Sequence, residues 1–584
     1  MTDIIKSMTK RNWIILSIIV VGAILLRVLP QWNEVIVDGQ VWFRGVDSYY
    51  HMRLIDNMVH NFPYPQYQDI FTVFPQGVKV GFNPLMSWII SSVGVMGFDY
   101  NLFAAFFPSV VGGLTLIPVF FIGKELFSKK VGFLACVFVA VLPTEFLHRT
   151  LFGFADHHAL ETLLATIVVL FLILMVKYDK KRYPIIAGIT LGAYLLNWAG
   201  GHFLVLTLVA WFIIQIIYCR LKDLPENNLC RNMLIVFGIA FAMYLPYLRF
   251  TLNTSIMTYL PFALACFIPF WLWNKGTKTF TIVSMIITLG ISAAVLYTSY
   301  LYVPVMLELR SVFHGGSTSI SEATPSDIST LLYTTGITFF LFIAGIFRYF
   351  KEHKKSLLLI VWAIILLAAT IGQRRWEYYF VVPLSLIAAY FTFYAARWVK
   401  ENSRPFTIAI IILFAMVTSL KGTIAVVTMP NNIDADWRNT LTWMRDNTPF
   451  PHIDDNAYYD VAPIHNTNYG VLSWWDYGHW ITQVAHRAPC SNPAYQNQPE
   501  GSRFFCSKTE TEALKEIEPL GVIRYIIITE EMVTNKYYAV VKQSGKDTDR
   551  LESVLLQLWN DELESYKLIR TEGKIRIYEK VVMQ

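Results

Sequence analysis

Carboxylates and imidazoles occur together at a few places in this chain, and such side chains can bind metal ions or position polar groups. Asp156, His157 and His158 stand directly before a long apolar run, where ionisable side chains are costly. Asp156 and His158 can both reach one cation if the backbone between them is extended or begins a helix. Carboxylate plus imidazole suits Mn²⁺ or Mg²⁺ with open water positions, and Zn²⁺ less well. Capping of the following helix by Asp156 is the competing interpretation.

A second unusual stretch, WWDYG at 474–478, joins two indoles, a carboxylate and a phenol in a polar part of the chain. Large aromatic side chains normally bury their surface, and each indole N–H needs a hydrogen-bond partner. One interpretation is a buried aromatic corner of a small α/β domain. The other is a functional motif, which requires supporting residues elsewhere in the chain.

The elements that must position these residues are mostly membrane spans. Of the 584 residues, 55% are hydrophobic and 15% are charged, against roughly 25% charged in soluble domains. The run 13–29 lacks a small-residue cleavage site and is predicted to be an anchoring span. The net charge of +6 does not indicate nucleic acid, because the positions of the basic residues explain it better.

Thirteen apolar runs are long enough to cross the hydrocarbon layer, which takes about 17–25 residues each. They are 13–29, 102–127, 131–147, 156–177, 183–198, 202–218, 232–248, 258–273, 278–302, 331–349, 356–371, 378–397 and 405–428. The segment 84–98 is another span or a helix that grazes the membrane. Basic residues precede the first run and then fill every second loop. The positive-inside rule therefore predicts a cytoplasmic N-terminus and places everything after about 429 outside.

Two domains are predicted from this pattern. A transmembrane domain, 1–429, has long external loops at 30–101 and 303–330, and an extracytoplasmic α/β domain covers 430–584. The loop 303–330 is either a lid over a substrate or a disordered connector.

The C-terminal domain shows a mixed pattern. Residues 522–528 and 575–578 are β-type runs, whereas 508–518 and 551–565 are amphipathic at helical spacing. About 150 residues suffice for a separate core. Cys490 and Cys506 share the outer side, where they form either a disulfide or two free buried thiols.

The predicted topology puts the polar stretches on one side of the membrane. They are Gly45–His51 with Asp47, His148–Thr150 with Arg149, Asp156–His158, Ser319–Glu322, Gln373–Glu377 with Arg375, and WWDYG. A lone outer-loop aspartate such as Asp47 is usually solvated and idle. Acids, imidazoles and arginines gathered at one face are nevertheless what a transferase acting on a lipid substrate needs.

These stretches resemble the motifs of the catalytic subunit of oligosaccharyltransferase, the enzyme of protein N-glycosylation. WWDYG matches its signature, and Asp47 in GVDSYYH matches the acidic motif of its first outer loop. Asp156-His157-His158 is similar to the second acidic motif in its archaeal form, which carries a histidine. Ser319–Glu322 is similar to the SxxE element of the fifth external loop.

The resemblance implies a membrane domain of the glycosyltransferase C type, with about 13 transmembrane helices, followed by the mixed α/β domain. It implies a metal-dependent, inverting transfer of an oligosaccharide from a dolichyl or other polyprenyl phosphate or diphosphate carrier. The acceptor is the side-chain amide of asparagine in Asn-X-Ser/Thr.

The resemblance also assigns roles to residues. Four sets are implied: catalytic Asp47 and Glu322; metal ligands Asp47, Asp156 and His158 for Mn²⁺ or Mg²⁺; donor-phosphate contacts Arg375, Arg149 and His157; and acceptor contacts Trp474, Trp475, Asp476, Lys536 and Glu322. One departure concerns the archaeal DxxK element, because Lys536 fits it but Val533 holds the position of its aspartate.

The implied partners are a lipid-linked oligosaccharide and an acceptor polypeptide, with no nucleic acid and no further subunit. The resemblance places the enzyme in the plasma membrane with its active site outside. Two other classes compete. A different polyprenyl-phosphate glycosyltransferase, such as an O-mannosyltransferase, has no need of WWDYG. The transporter interpretation requires polar residues in the middle of the spans and two halves of the chain with similar sequences.

Overall fold

The computed structural model describes residues 8–224, 228–250, 324–352, 357–462, 466–494 and 499–581. It divides into two compact units. The helical unit comprises Met1–Asn33, Phe106–Phe152 and His157–Met429, and the mixed unit comprises Glu34–Ala105, Gly153–Asp156 and Pro430–Gln584. The predicted division at 429/430 stays a prediction. The predicted spans 258–273 and 278–302 and the Ser319–Glu322 element lie outside the described residues.

Long apolar helices build the helical unit. They are Lys10–Val28, Tyr100–Leu126, Lys129–Val141, His158–Tyr178, Arg182–Asn197, His202–Leu221, Leu229–Tyr244, Ile328–Thr335, Ile337–Glu352, Leu358–Gly372, Glu377–Ala395 and Arg404–Val427, the second starting in the mixed unit. Within the described residues, seven segments are long and apolar enough to cross a membrane, or eight if one bent pair counts as a span. The chain is therefore a multi-pass membrane protein, and the count of thirteen spans stays a prediction.

Two predicted spans of this unit are interrupted by a single proline or glycine. The predicted run 131–147 is interrupted. Helix Lys129–Val141 ends because Leu142 precedes Pro143 and takes an extended backbone, and a short helix, Glu145–Arg149, follows. The predicted run 331–349 is bent by 98° between Ile328–Thr335 and the following helix. Gly336 makes that bend with a φ of 56°, a left-handed value that favours glycine.

The mixed unit contains a four-stranded sheet in the order Gly470–Leu472, Ile523–Thr529, Ile575–Lys580, Tyr566–Glu572. The first pair is parallel and the other two pairs are antiparallel. Strand Ile523–Thr529 is buried at every position except Arg524, as expected for a β-branched run covered on both faces. The predicted strands at 522–528 and 575–578 are thus confirmed.

The remaining elements of this unit are helices and two short hairpins. The helices are Trp32–Val35 at the unit boundary, Val46–Asn61, Leu85–Val95, Ala435–Asn447, Gly478–Gln483, Glu500–Cys506, Glu510–Ile517, Glu530–Val533, Tyr537–Ser544 and Val554–Trp559, and the hairpins are Ile36–Val37 with Gln40–Val41 and Gln68–Asp69 with Val78–Lys79. The predicted helix 508–518 is confirmed. The prediction for 551–565 is wrong in extent, because the helix ends at Trp559 and the chain enters strand Tyr566–Glu572, an element the periodicity did not reveal.

A disulfide between Cys490 and Cys506 is not formed, and both thiols are free and buried. The two sulfurs lie in different surroundings. Cys506 ends helix Glu500–Cys506 and contacts Ser544 and Tyr537 through hydrogen bonds. The Cys490 backbone N–H instead donates to Val471 beside the sheet, and burial raises the pKa of its thiol.

Candidate active site

Asp47 lies in the first turn of helix Val46–Asn61, directly after Gly45, whose φ of 72° turns the chain into the helix. Its side chain is 51% exposed, and its Oδ1 lies 3.9 Å from Nε2 of His479. A ligand can therefore reach the carboxylate. This predicted catalytic residue has an imidazole neighbour supplied by the segment that follows WWDYG.

His479 is a buried imidazole that the sequence analysis did not single out. It is 1% exposed and stacks on Tyr50 at a ring-centroid distance of 4.8 Å. Within the described part of the chain, neither ring nitrogen has a hydrogen-bond partner. Burial, with a smaller contribution from His51, lowers the pKa of His479 to about 3. The ring is therefore neutral at physiological pH. The signal in the sequence was its place one residue beyond the glycine of WWDYG.

Asp156, a predicted metal ligand, is held by a histidine from helix Val46–Asn61. Nε2 of His51 lies 3.0 Å from Oδ1 of Asp156, and both side chains are almost fully buried. His51 follows Asp47 by four residues, so the two project from one face of the helix. The pair links the predicted first and second acidic motifs within the mixed unit.

In the helical unit, His157, His158 and Glu161 form a second cluster at the start of helix His158–Tyr178. Nδ1 of His158 lies 2.9 Å from Oε1 of Glu161, and Nε2 of His157 lies 3.8 Å from Oε2. Glu161 is fully buried. Their ligand atoms are close enough to hold a metal ion. Glu161 is not among the predicted site residues, although an acid three and four residues after two histidines is a recognisable helical spacing.

Predicted donor-phosphate contacts also lie in the helical unit. Nε of Arg149 lies 3.4 Å from Oε2 of Glu145, and its guanidinium stands 5.7 Å from the Tyr378 ring centre. The neighbouring Arg374 also pairs with Glu145, its Nε lying 2.9 Å from Oε1. Arg375 lies over Trp376 and is only half-buried.

WWDYG follows strand Gly470–Leu472 and enters the short helix Gly478–Gln483. A Cβ at position 478 would overlap the carbonyl of Ser491, so the chain needs glycine there. Trp474 is buried, whereas Trp475 and Asp476 stay partly exposed. Tyr477 packs on Trp437 and Trp480, as in a buried aromatic corner, while Asp476 remains accessible.

Lys536, a predicted acceptor contact, lies against the WWDYG segment. Its Nζ lies 3.0 Å from Oδ2 of Asp476, 3.2 Å from the hydroxyl of Tyr477 and 3.2 Å from Oε2 of Glu531. Burial opposes the charge of the ammonium, but Tyr477 and Asp476 outweigh burial and raise the pKa of Lys536. Lys536 is therefore always protonated.

Glu531 places a carboxylate next to Lys536, where Val533 has none. The short helix Glu530–Val533 ends, and the Lys536 N–H donates to the Glu531 carbonyl at 2.8 Å, which brings the two side chains together. Val533 is buried. The signal available in the sequence was the pair Glu530-Glu531 just before the expected position.

The structure thus pairs Lys536 with Asp476, Asp156 with His51, and His158 with Glu161. It also places His479 next to Asp47. The predicted metal ligands Asp47 and Asp156 belong to the mixed unit and His158 to the helical unit, so this ligand set stays a prediction. Glu322, predicted as catalytic and acceptor-binding, lies outside the described residues.

The apolar helices and the mixed α/β unit together form a membrane fold of the glycosyltransferase C type. The fold is shared with ArnT from Cupriavidus metallidurans, with a TM-score of 0.53 and 10% identity over 98% of this chain and 99% of that one. This likeness shows the fold alone.

The chain belongs to the oligosaccharyl transferase STT3 family. The N-terminal model of that family matches residues 17–430, and the model of the AglB core domain matches residues 434–533. Dolichyl-phosphooligosaccharide-protein glycotransferase 3 of Archaeoglobus fulgidus is 29% identical over 92% of this chain and 71% of its own length.

Two solved structures of archaeal relatives match the chain throughout. AglB from Archaeoglobus fulgidus, in complex with an inhibitory peptide and a dolichol-phosphate, has a TM-score of 0.83 and 26% identity over 98% of this chain and 74% of that one. The Archaeoglobus fulgidus oligosaccharyltransferase complex with Zn and sulfate has a TM-score of 0.79 and 25% identity over 96% and 79%.

Proposed function

We propose that this chain transfers an oligosaccharide from a dolichyl phosphate or diphosphate carrier to the asparagine amide of Asn-X-Ser/Thr. The observation that carries the proposal is the pair between Asp476 of WWDYG and Lys536. Asp476 is 29% exposed, and its Oδ2 is engaged by an always-protonated lysine. This carboxylate is thus held in one orientation while its other oxygen can accept a hydroxyl hydrogen bond. The two family matches and the archaeal relatives support the same activity.

The nucleophile is the chemical difficulty of the reaction. The amide nitrogen lone pair is delocalised, and the rotation barrier of a peptide amide, ~18–20 kcal/mol, measures that conjugation. Asp47 and Glu322 accept hydrogen bonds from the acceptor amide N–H groups in our proposal. These bonds orient the nitrogen and weaken its conjugation by preorganised electrostatics. The exposure of Asp47 supports its role, because a substrate amide must be able to reach it.

A divalent cation, Mn²⁺ or Mg²⁺, fits the donor atoms of Asp47, Asp156 and His158 in the proposed site. Two hard carboxylates and one imidazole are a suitable set for such an ion. Since Asp156 and His158 are two residues apart, both can face one centre. A bound cation supplies positive charge for the phosphate that leaves the sugar. His51 fixes the orientation of the Asp156 carboxylate through its contact at 3.0 Å.

Arg375, Arg149 and His157 bind the donor phosphate in this proposal. Arginine and imidazole both donate to phosphate oxygens, and arginine does so in a bidentate manner. Glu145 orients Arg149 from one side through the 3.4 Å contact. Arg375 is half-buried.

Trp474, Trp475 and Asp476 hold the serine or threonine of the acceptor, with Asp476 accepting its hydroxyl hydrogen. Lys536, fixed between Asp476 and Glu531, forms another wall of this pocket. A site built to bond a hydroxyl strongly rejects side chains that lack it. The proposed enzyme acts as a single subunit in the plasma membrane, with its N-terminus inside and its active site outside.

The deciding experiment is transfer in vitro from a lipid extract to an Asn-X-Thr peptide, with an Asn-X-Ala peptide as control. We expect glycosylated product only with the threonine peptide, and none after treatment with EDTA until Mn²⁺ is restored. Product on both peptides, or on neither, contradicts the proposal. The Asp47→Ala variant should make no product while its unfolding temperature stays unchanged.

A further inference from the structure

A buried carboxylate, Glu161, lies next to His158 without any role in the reaction described above. It stands on helix His158–Tyr178, three residues after its first histidine, with no exposed surface. An ionised carboxylate inside an apolar helical unit is expensive and needs strong partners. An ionisable group at such a position in a membrane helix indicates a functional role.

The contacts of Glu161 centre on the imidazole of His158. Its Oε1 lies 2.9 Å from Nδ1 of His158, and its carboxylate also takes a hydrogen bond from Tyr378. The Tyr378 ring lies 5.0 Å from the His158 ring and covers its face. The imidazole is therefore fixed both in position and in plane.

The hydrogen bond also selects the tautomer of His158. A carboxylate only accepts, so Nδ1 must carry the proton and donate it. The lone pair then lies on Nε2, at the opposite edge of the ring. A metal-ligating histidine commonly donates its other ring N–H to a carboxylate in this way, which raises its basicity as a ligand.

We propose that Glu161 is a positioning residue for the metal centre: it orients His158 and keeps Nε2 of that imidazole as the ligand atom. The proposal rests on the proposed metal-dependent function, in which His158 is a ligand, and adds a residue that touches neither substrate nor ion. His157 contributes little to this arrangement, because its Nε2 lies 3.8 Å from the second carboxylate oxygen, beyond hydrogen-bond distance.

The test measures Mn²⁺ affinity by electron paramagnetic resonance of the full-length protein in detergent, without any transfer assay. Glu161→Leu removes the acceptor at similar volume, and we expect the Kd for Mn²⁺ to rise about 10- to 100-fold. Glu161→Gln retains an amide oxygen that can accept from Nδ1, so a smaller rise is expected. This graded rescue would not follow from a purely structural role.

Glu125→Gln is the matched control. Glu125 is another nearly buried carboxylate of the helical unit, and it pairs with Lys177 near the opposite end of the same helix at 3.0 Å. The Mn²⁺ affinity of the Glu125→Gln protein should equal that of the wild type.

Three results overturn the proposal. One is an unchanged Mn²⁺ affinity in folded Glu161→Leu and Glu161→Gln. Another is a fall from two bound ions to one, which would make Glu161 itself a ligand in a second site with His157. The third is wild-type protein that binds no Mn²⁺. Failure of peptide glycosylation, by contrast, overturns the proposed function and leaves the affinity comparison intact.

Discussion

Two ion pairs of the mixed unit differ in what surrounds them. Arg53 and Asp69, 3.2 Å apart, have no exposed surface, whereas Lys536 and Asp476, 3.0 Å apart, are each about 30% exposed. In the first, Asp69 also accepts from Phe71 N and from the Thr72 hydroxyl, and Arg53 lies over the Tyr458 ring at 3.8 Å. Both carboxylate oxygens of Asp69 are thus engaged by groups of the fold itself. The partly exposed Lys536–Asp476 pair, called the open pair below, can still bond a substrate. The buried Arg53–Asp69 pair, called the closed pair, cannot. Burial thus distinguishes a pair that stabilises the unit from a pair that can bind a ligand.

The largest effect should come from the closed pair. Asp69→Ala leaves the Arg53 charge buried without its partner, and removal of one partner of a buried pair costs about 3–5 kcal/mol. We expect a large drop in unfolding temperature, measured by thermal unfolding in detergent. Asp446→Asn, which breaks the exposed Arg445–Asp446 pair, is the control and should change stability by less than about 1 kcal/mol. Equal losses of stability in Asp69→Ala and Asp446→Asn would contradict the distinction between buried and exposed pairs.

The open pair should behave in the opposite way. Asp476→Asn removes a charged acceptor for the proposed hydroxyl contact, which is worth about 1.5–3 kcal/mol, or roughly 10- to 100-fold in kcat/KM for an Asn-X-Thr peptide. Its unfolding temperature should stay close to that of the wild type. Kinetic and thermal unfolding measurements on the same preparation check the loss in kcat/KM and the unchanged unfolding temperature. A variant that loses stability and keeps its KM would assign this pair to the fold.

The third effect is a pH dependence near the closed pair. Burial, followed by repulsion from Arg53, Arg445 and Arg487, lowers the pKa of His486 to about 3. Since an unfolded histidine titrates near 6.5, the unfolded state binds more protons between pH 6.5 and about 3, and stability falls on acidification through that window. The slope approaches about 1.4 kcal/mol per pH unit for this group.

His486→Asn removes the titration and suits the left-handed backbone at this position, where φ is 53°. The unfolding temperature of this variant should depend less on pH between 6.5 and 4 than that of the wild type. Parallel curves for the two proteins would contradict the assignment.

The smallest effect concerns Glu531, on the rim of the open pair. Glu531→Gln keeps Asp476 and Lys536 but removes one of the acids that hold the ammonium, at 3.2 Å. Because the Glu531 side chain is 59% exposed, we expect only a few-fold rise in KM for the acceptor peptide and no change in stability. An effect as large as that of Asp476→Asn would show that Glu531 itself contacts the acceptor.

Local patterns in the sequence predicted much of the fold. The apolar runs mark the helices of the helical unit, and the run Val522–Ile528 marks the central strand, because hydrophobic periodicity reports burial directly. The errors occurred where a single residue or a tertiary contact overrides periodicity. Pro143 and Gly336 interrupt predicted spans, and strand Tyr566–Glu572 is only half-buried, so its alternation is weak.

The sequence by itself determined the family, the membrane character and most of the polar residues that the site uses, since these depend on residue types and short spacings. Only the tertiary structure decided their partners. His51 meets Asp156, and Asp476 meets Lys536, across 105 and 60 residues of chain, and Cys490 remains apart from Cys506. Such pairings depend on how distant elements pack, which no local pattern encodes.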